Sequence, residues 1–196
     1  MVLYFSLIFM AAFGLAACNK KKPELANSGA FSNAGGPAWV AKCGGAFPDA
    51  GKDAFYGCGS MIAVENLPLQ VQSADARART DLARNIDAFV ADFFKDFLDS
   101  AGIKEKIGKG LAELEEKKFI SGISKDVTES ALAGALVVNH WRNPADDMLY
   151  SLDKVSFDNV SAGMEKQMRQ HAKEINLDAD DAVKELDLAV VKKRWE

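Results

Sequence analysis

Side chains that ordinarily carry chemistry are scarce in this chain, and each scarcity closes a class of function. There are only two histidines, His140 and His171, and three cysteines in 196 residues. A serine or cysteine nucleophile needs a base within reach. His140 alternates with Val138 and Arg142 in a strand-like run and His171 falls on a helical stripe, so both read as structural side chains rather than bases. Neither has a second ligand three or four residues away, which leaves no metal site to read. Gly57 and Gly59 begin a Gly-x-Gly-x-x-Gly phosphate loop, but position 62 is Ile, and both glycines fall inside a strand instead of at its exit toward a helix. Their expected role is close packing under a neighbouring element. Asp178, Asp180 and Asp181 resemble the first half of a calcium loop, yet Val183 stands in the glycine's place and Ala189 in that of the bidentate glutamate. Helix capping, with Asp178 as the cap, accounts for them. Asp146 and Asp147 follow Pro144 in a turn, where Asp is common for its backbone hydrogen bonds rather than as an acid/base pair. Basic excess is lacking too, and a net charge of −4 argues against a partner held by its phosphate backbone. The expectation is therefore no catalytic residue, no metal, no cofactor and no nucleic acid.

Charge is also missing from the start of the chain. No Lys, Arg, Asp or Glu precedes Lys20, and Val2 to Ala17 is apolar apart from Tyr4, Ser6 and Gly14. A spanning helix uses about 20 apolar residues, whereas a signal-peptide core is shorter and ends in small side chains. Leu15-Ala16-Ala17-Cys18 resembles the bacterial lipobox, Leu-small-small-Cys. That resemblance implies a diacylglycerol on the Cys18 thiol, cleavage before Cys18 and acylation of the new amino group. Residues 1–17 are then a lipoprotein signal peptide, and the lipid bilayer is a partner through acylated Cys18. One acyl chain holds a protein only marginally, while two or three make the attachment stable. The leader departs from ordinary signal peptides in having no Lys or Arg, and an uncleaved membrane anchor or a mere apolar leader is the competing reading. Asn19, in place of the Asp that marks inner-membrane retention in enteric bacteria, points to the outer membrane, with the body facing the periplasm.

Residues 18–38 combine the acylated cysteine with a stretch rich in Asn, Ser, Gly and Pro that has no apolar period. It reads as a flexible tether with a root-mean-square span of about 25 Å. Lys20, Lys21 and Lys22 either touch anionic headgroups or solvate the spacer. Cys43 and Cys58 remain once Cys18 is lipidated. In an oxidising compartment an even pair of thiols suggests a disulfide, and Gly44, Gly45, Pro48 and Gly51 let the chain between them turn back. Two separate thiols, buried as small apolar side chains, are the alternative.

Residues 39–196 read as one domain. Ala54 to Val64 is aromatic and β-branched between turn residues, which predicts a strand. From Ser73 to Ser100 the residues Ala78, Leu82, Ile86, Phe89, Val90, Phe93 and Phe97 mark one buried helical face. On the opposite side Asp75 with Arg79, and Arg77 with Asp81, are spaced to pair in solvent. Ile103, Ile107, Leu111 and Leu114 extend the period past Gly108 and Gly110, and Phe119 to Ala131 favours helix. Leu132 to Arg142, a Pro-bearing turn and Met148 to Val155 predict a hairpin. Two helices follow, one faced by Phe157, Val160, Met164, Met168, His171 and Ile175, the other by Val183, Leu186 and Val190. The expected class is α+β: a small antiparallel sheet, one strand plus a hairpin, covered by a long helix and two C-terminal helices.

Several pieces, in this order, resemble the LPP20 family of bacterial lipoproteins. They are Pro37-Ala38-Trp39-Val40, Phe55-Tyr56-Gly57-Cys58-Gly59, Ala76-Arg77-Ala78-Arg79-Thr80-Asp81-Leu82-Ala83, Leu132-Ala133-Gly134-Ala135, Trp141-Arg142-Asn143-Pro144 and Leu149-Tyr150-Ser151-Leu152. The resemblance implies a lipid-anchored envelope protein with a small α+β body, and it transfers no catalytic residue. Two functions stay open. One is a noncatalytic structural or interaction component with an envelope protein as partner; the other is a periplasmic ligand-binding module or enzyme. A deep polar pocket would favour the second and an exposed apolar surface the first.

Overall fold

A computed structural model describes residues 35–100, 113–175 and 178–195. The signal peptide, Cys18 and the tether up to residue 34 lie outside the described residues. So do Ile103, Ile107 and Leu111 and the side chains of Leu114, Ile175 and Val190.

The architecture is α+β. Strands β1 (Ala54–Met61), β2 (Leu136–Arg142) and β3 (Leu149–Ser156) form an antiparallel sheet in the order β1-β3-β2, so the last strand of the chain is the central one. Helix α1 (Trp39–Lys42) and a 3₁₀ turn (Cys43–Ala46) precede β1. Helix α2 (Leu67–Ser100) and α3 (Glu113–Leu132) lie between β1 and the hairpin, and α4 (Phe157–His171) and α5 (Ala179–Trp195) follow it.

Helix α2 begins six residues before its apolar period does. The Asn66 side chain accepts from the Leu69 N–H at 3.1 Å, and Pro68 sits in the first turn, where its missing N–H leaves no hydrogen bond unmade. Residues that read as a turn after the strand thus also start the helix, and β1 stops at Met61. Likewise β2 begins at Leu136, because α3 runs on to Leu132 and Gly134 closes its end under the Asn159 side chain.

Alternation along β1 and β3 gives these two strands a covered face on either side, whereas β2 is largely exposed. On the front, Phe55, Gly57, Gly59 and Met61 share a face with Val155, Asp153, Ser151 and Leu149 of β3. Helix α2 lies directly on the glycines: a Cβ at Gly57 would meet the Ala78 carbonyl oxygen and the Leu82 nitrogen, and one at Gly59 the Ala74 oxygen and the Ala78 nitrogen, all at under 3.0 Å. Backbone approaches backbone there, which is why these positions carry no side chain. The main core continues through Leu82, Ile86, Val90, Phe93, Phe94 and Phe97 into α3, α4 and α5. Phe55, Phe89 and Phe157 meet within it at ring distances of 5.0 to 5.9 Å.

The back of the sheet is covered as well, by residues 39–50, for which the sequence predicts no strand or helix. Trp39, Ala54, Tyr56 and Leu152 form a second apolar cluster with Val40, Phe47 and Trp141 against it, and Phe47 stacks on Tyr56 at 4.2 Å. Cys43 and Cys58 are joined as a disulfide with their α-carbons 5.7 Å apart, fastening this segment to β1.

Candidate functional site

Polar side chains flank the apolar stripe of α2 on both sides, and Asp75, Arg77, Arg79 and Asp81 reach the sheet or the residue before β2 rather than one another. This corrects the expected solvent pairs Asp75–Arg79 and Arg77–Asp81. Toward β3 and β2, Asp75 Oδ1 accepts from Ser151 Oγ at 2.6 Å and lies 2.6 Å from His140 Nε2. Arg79 Nε lies 3.4 Å from Asp153 Oδ2, and its Nη2 donates to the Ala135 carbonyl at 3.1 Å. Gln70, fully buried, donates to the Ile62 and Asp147 carbonyls at 2.9 Å each and accepts from Arg142 Nη2 at 3.1 Å. Sequence spacing alone places such groups beside the stripe, but the close seating of α2 on Gly57 and Gly59 turns them inward.

Ser151, His140 and Asp75 are the residue types of a hydrolytic triad, but their wiring differs. In a triad the imidazole stands between hydroxyl and carboxylate and takes the hydroxyl proton. Here both Ser151 and His140 are bound to one oxygen of Asp75, and Ser151 has no exposed surface. The group is a junction between helix and sheet. His171 packs edge-on against the Phe119 ring at 5.9 Å. Asp178 caps α5, accepting from the Asp180 N–H at 2.9 Å, and Asp180 pairs with Arg169 at 2.8 Å. In the hairpin turn the Asp146 carboxylate accepts from the Met148 N–H at 3.0 Å. Among the described residues no group of three or more His, Cys, Asp or Glu side chains converges on a metal-sized site.

On its other flank α2 guards the outer edge of β1. Asn85 Nδ2 donates to the Tyr56 carbonyl at 2.9 Å, Asp81 Oδ2 accepts from the Cys58 N–H at 3.0 Å, and Arg77 donates to the Ser60 carbonyl. Four helical residues rise about 6 Å and two strand residues about 6.7 Å, so the repeat 77, 81, 85 keeps step with 60, 58, 56 running the other way.

The outer edge of β2 is finished differently. Every residue of β2 but the half-buried Trp141 is exposed, with Leu136 at 68%, Val137 at 37% and Val138 at 48%. The register against β3 shifts between Val137 and Asn139, a bulge that interrupts the expected alternation of Val138 with His140. Among the described residues no side chain bonds to the backbone of this strand. Among the described residues, apolar side chains beside an open strand edge are a departure from an ordinary surface. Sequence reading missed it, although the Leu-Val-Val run at the start of the hairpin is the signal that carries it.

A hollow of about 610 Å³ lies beside the disulfide, lined by Lys42, Cys43, Gly44, Tyr56, Asp81 and Asn85 among others. Its two best polar groups, Asp81 and Asn85, are those already bound to β1. Nearby, Asp49 accepts from the Tyr56 hydroxyl at 3.0 Å and from Lys154 Nζ at 3.2 Å, and the ammonium lies 5.1 Å from the Tyr56 ring centre. Burial works against the Asp49 charge, but the bonds from Tyr56 and Lys154 outweigh it and hold the carboxyl below its usual range. Tyr56 and Asp49 in turn hold Lys154 above its own. This cluster fastens the chain before β1 to the sheet.

Among the described residues no helix is long and apolar enough to cross a membrane. Compared with known proteins, the chain matches no family model and no curated protein.

Proposed function

We propose that the chain is a membrane-anchored lipoprotein of the bacterial envelope, of the LPP20 kind, held by acylated Cys18 and facing the periplasm from the outer membrane. Its α+β body is a noncatalytic module that binds another envelope protein. The observation that carries this reading is the open edge of β2 with Leu136, Val137 and Val138 exposed beside it. An extended segment of a partner adds to such an edge through backbone hydrogen bonds and seats alternate side chains on the apolar residues. A second copy fits less well: the three side chains offer on the order of a few hundred Å², against the ~800 Å² each partner gives to a standard interface. The bulge at Val138 also bends the edge away from the flat ladder a rigid sheet would need, whereas a flexible strand follows it. The Cys43–Cys58 disulfide supports placement in an oxidising compartment. A ligand-binding role would draw on the hollow beside that disulfide, whose polar groups are largely committed to the fold.

A photo-reactive residue at Val138 in the intact lipoprotein tests this. The expected result is one reproducible protein adduct that a probe on the exposed helix position Lys125 does not give. The purified partner should then slow amide exchange across Leu136–Arg142. Equal capture at both positions, or a partner that leaves β2 exchange unchanged, would overturn the reading. Self-adducts with a dimeric mass would replace the partner by a second copy.

A further inference from the structure

At one end of the sheet the ladder closes on the row Met61, Leu149 and Arg142. Just beyond it Ile62, Leu67 and Leu69 are exposed, at 61%, 49% and 49%. They come from the loop leaving β1 and the first turn of α2, and Gln70 fixes both to the hairpin turn by its bonds to the Ile62 and Asp147 carbonyls. The loop, the first turn of α2 and the hairpin turn are therefore held together at one end of the sheet. The chain joins the body at the same end: Gly36 lies against the Trp141 ring, 2.9 Å from a Cβ placed there, and Trp141 pairs with Tyr150 one row inside the end. Glu65, Asp146 and Asp147 are exposed around this end, with Arg142 beside Asp147 at 3.8 Å.

We propose that this end, with Ile62, Leu67 and Leu69 at its centre, rests on the zwitterionic headgroup layer of the bilayer in which Cys18 is anchored. The inference rests on the lipoprotein reading and adds to it an orientation of the folded body. Roughly 17 residues separate Cys18 from Gly35, which even fully extended reach at most about 60 Å, so the body stays within that distance of the lipid anchor. Tethering of this kind raises the effective concentration of the body at the membrane, so a contact by three apolar side chains that would not hold a free protein is favoured there. The acidic residues around the end oppose an anionic surface, which is why the occupant is a zwitterionic one. The Leu136–Val138 edge, about 20 Å away along β2, is left facing a partner.

The test uses the mature chain from Cys18, coupled through that thiol to a maleimide lipid in phosphatidylcholine vesicles containing brominated chains. Chemical coupling installs the tether whether or not a cell acylates Cys18, and the mass of the native N-terminal peptide tests acylation separately. The emission added over that of the unsubstituted chain, which carries Trp39, Trp141 and Trp195, should be quenched several-fold more in Leu69→Trp than in Leu136→Trp. Equal quenching at both positions, or more at 136, would overturn the proposal. Hydrogen exchange of the unsubstituted chain checks it without a mutation. Amides of Ile62–Leu69 should slow at least twofold on tethering, and an unchanged rate counts against the contact. Replacing a third of the lipid with phosphatidylglycerol should weaken the difference. A difference that grows would assign the contact to lysines and overturn the one proposed.

Discussion

Along β1, Arg77, Asp81 and Asn85 supply hydrogen-bonding groups to Ser60, Cys58 and Tyr56, while along β2 Leu136, Val137 and Val138 stand exposed with no side chain bonded to their strand among the described residues. Both strands flank the same central β3, so the difference does not come from the sheet itself. It comes from α2, which sits over β1 because Gly57 and Gly59 admit its backbone. An uncovered edge is a hazard that proteins ordinarily suppress. On β1 the hazard is met by side chains of α2, and on β2 among the described residues only by the bulge at Val138, which is why the proposed contact is placed on β2.

The strongest way to break this comparison is to lift α2 off β1. Gly57→Ala puts a methyl group against the Ala78 oxygen and Leu82 nitrogen, backbone atoms that cannot rotate aside. Overpacking of this kind costs about 1–3 kcal/mol and more where backbone must move, and a loss of about 3 kcal/mol or greater is expected in urea unfolding. Gly122, in α3 with nothing within 4 Å of an added Cβ, is the control, where alanine should stabilise by roughly 0.5–1 kcal/mol. A Gly57→Ala protein as stable as the parent would mean that α2 is not seated on the glycines.

The next effect is at the back of the sheet. Removing the Cys43–Cys58 link by a double Cys→Ser substitution frees a loop of separation 15 and should cost about 3 kcal/mol by chain entropy. Labelling of the unfolded, unreduced protein with Cys18 blocked should find no free thiol; two would show that the bridge does not form.

How much of this could be read beforehand depends on the range of the interaction. Helix α2, the hairpin and the close packing at Gly57 and Gly59 announce themselves through periods and residue types that act locally. The seating of α2 does not: the i, i+4 spacing of Asp75 with Arg79 is equally compatible with a solvent pair and with the flank of a buried stripe. Only the sheet's position sends Asp75 to Ser151 and Arg79 to Asp153. The cover on the back face was hidden for a related reason. Residues 39–50 have no long period, and Trp39 acquires a meaning only when Tyr56 and Leu152 are found beneath it. In the junction of Ser151, His140 and Asp75, the hairpin sets His140 opposite Ser151, but no spacing rule brings Asp75, 65 residues before His140, to them.

A smaller effect sharpens the comparison at the edges themselves. Asp81→Ala leaves the part-buried Cys58 N–H without its acceptor and should cost about 1–2 kcal/mol. Asn139→Ala on the open edge should stay within about 0.5 kcal/mol of the parent. Equal losses at the two positions would remove the distinction between a capped and an open strand.

Smaller still is the pH dependence of the cluster that holds the back-face segment. Asp49 is held below its usual 3.8, so its stabilisation is complete above that value and is lost as pH falls through the lower folded value. Lys154 is held above 10.5, so its share is complete below 10.5 and is lost as pH rises through the higher folded value. The stability difference between the parent and Asp49→Asn should be flat from about pH 5 to 9 and shrink below about pH 4. Both side chains are partly exposed, and under about 1 kcal/mol is expected. A difference that grows in acid would mean that the carboxylate is not what the cluster binds.

The smallest effect on stability is expected where the effect on binding should be greatest. Val138 lies on the open edge at the bulge, 48% exposed, and a lysine there keeps its stem on the surface and its charge in water. Val138→Lys should therefore unfold within about 0.5 kcal/mol of the parent. The same lysine is the device by which strand edges are ordinarily closed to other chains, since an incoming strand would have to desolvate it. Partner-induced protection of Leu136–Arg142 should fall at least tenfold in apparent affinity, with α2 and the β1 edge unaltered. A loss of 2 kcal/mol or more in unfolding would show that Val138 is packed in the native fold, and a fully retained partner would show that the edge is not where it binds. Val138→Thr, nearly the same shape and uncharged, should keep most of the binding and so separate the charge from the bulge.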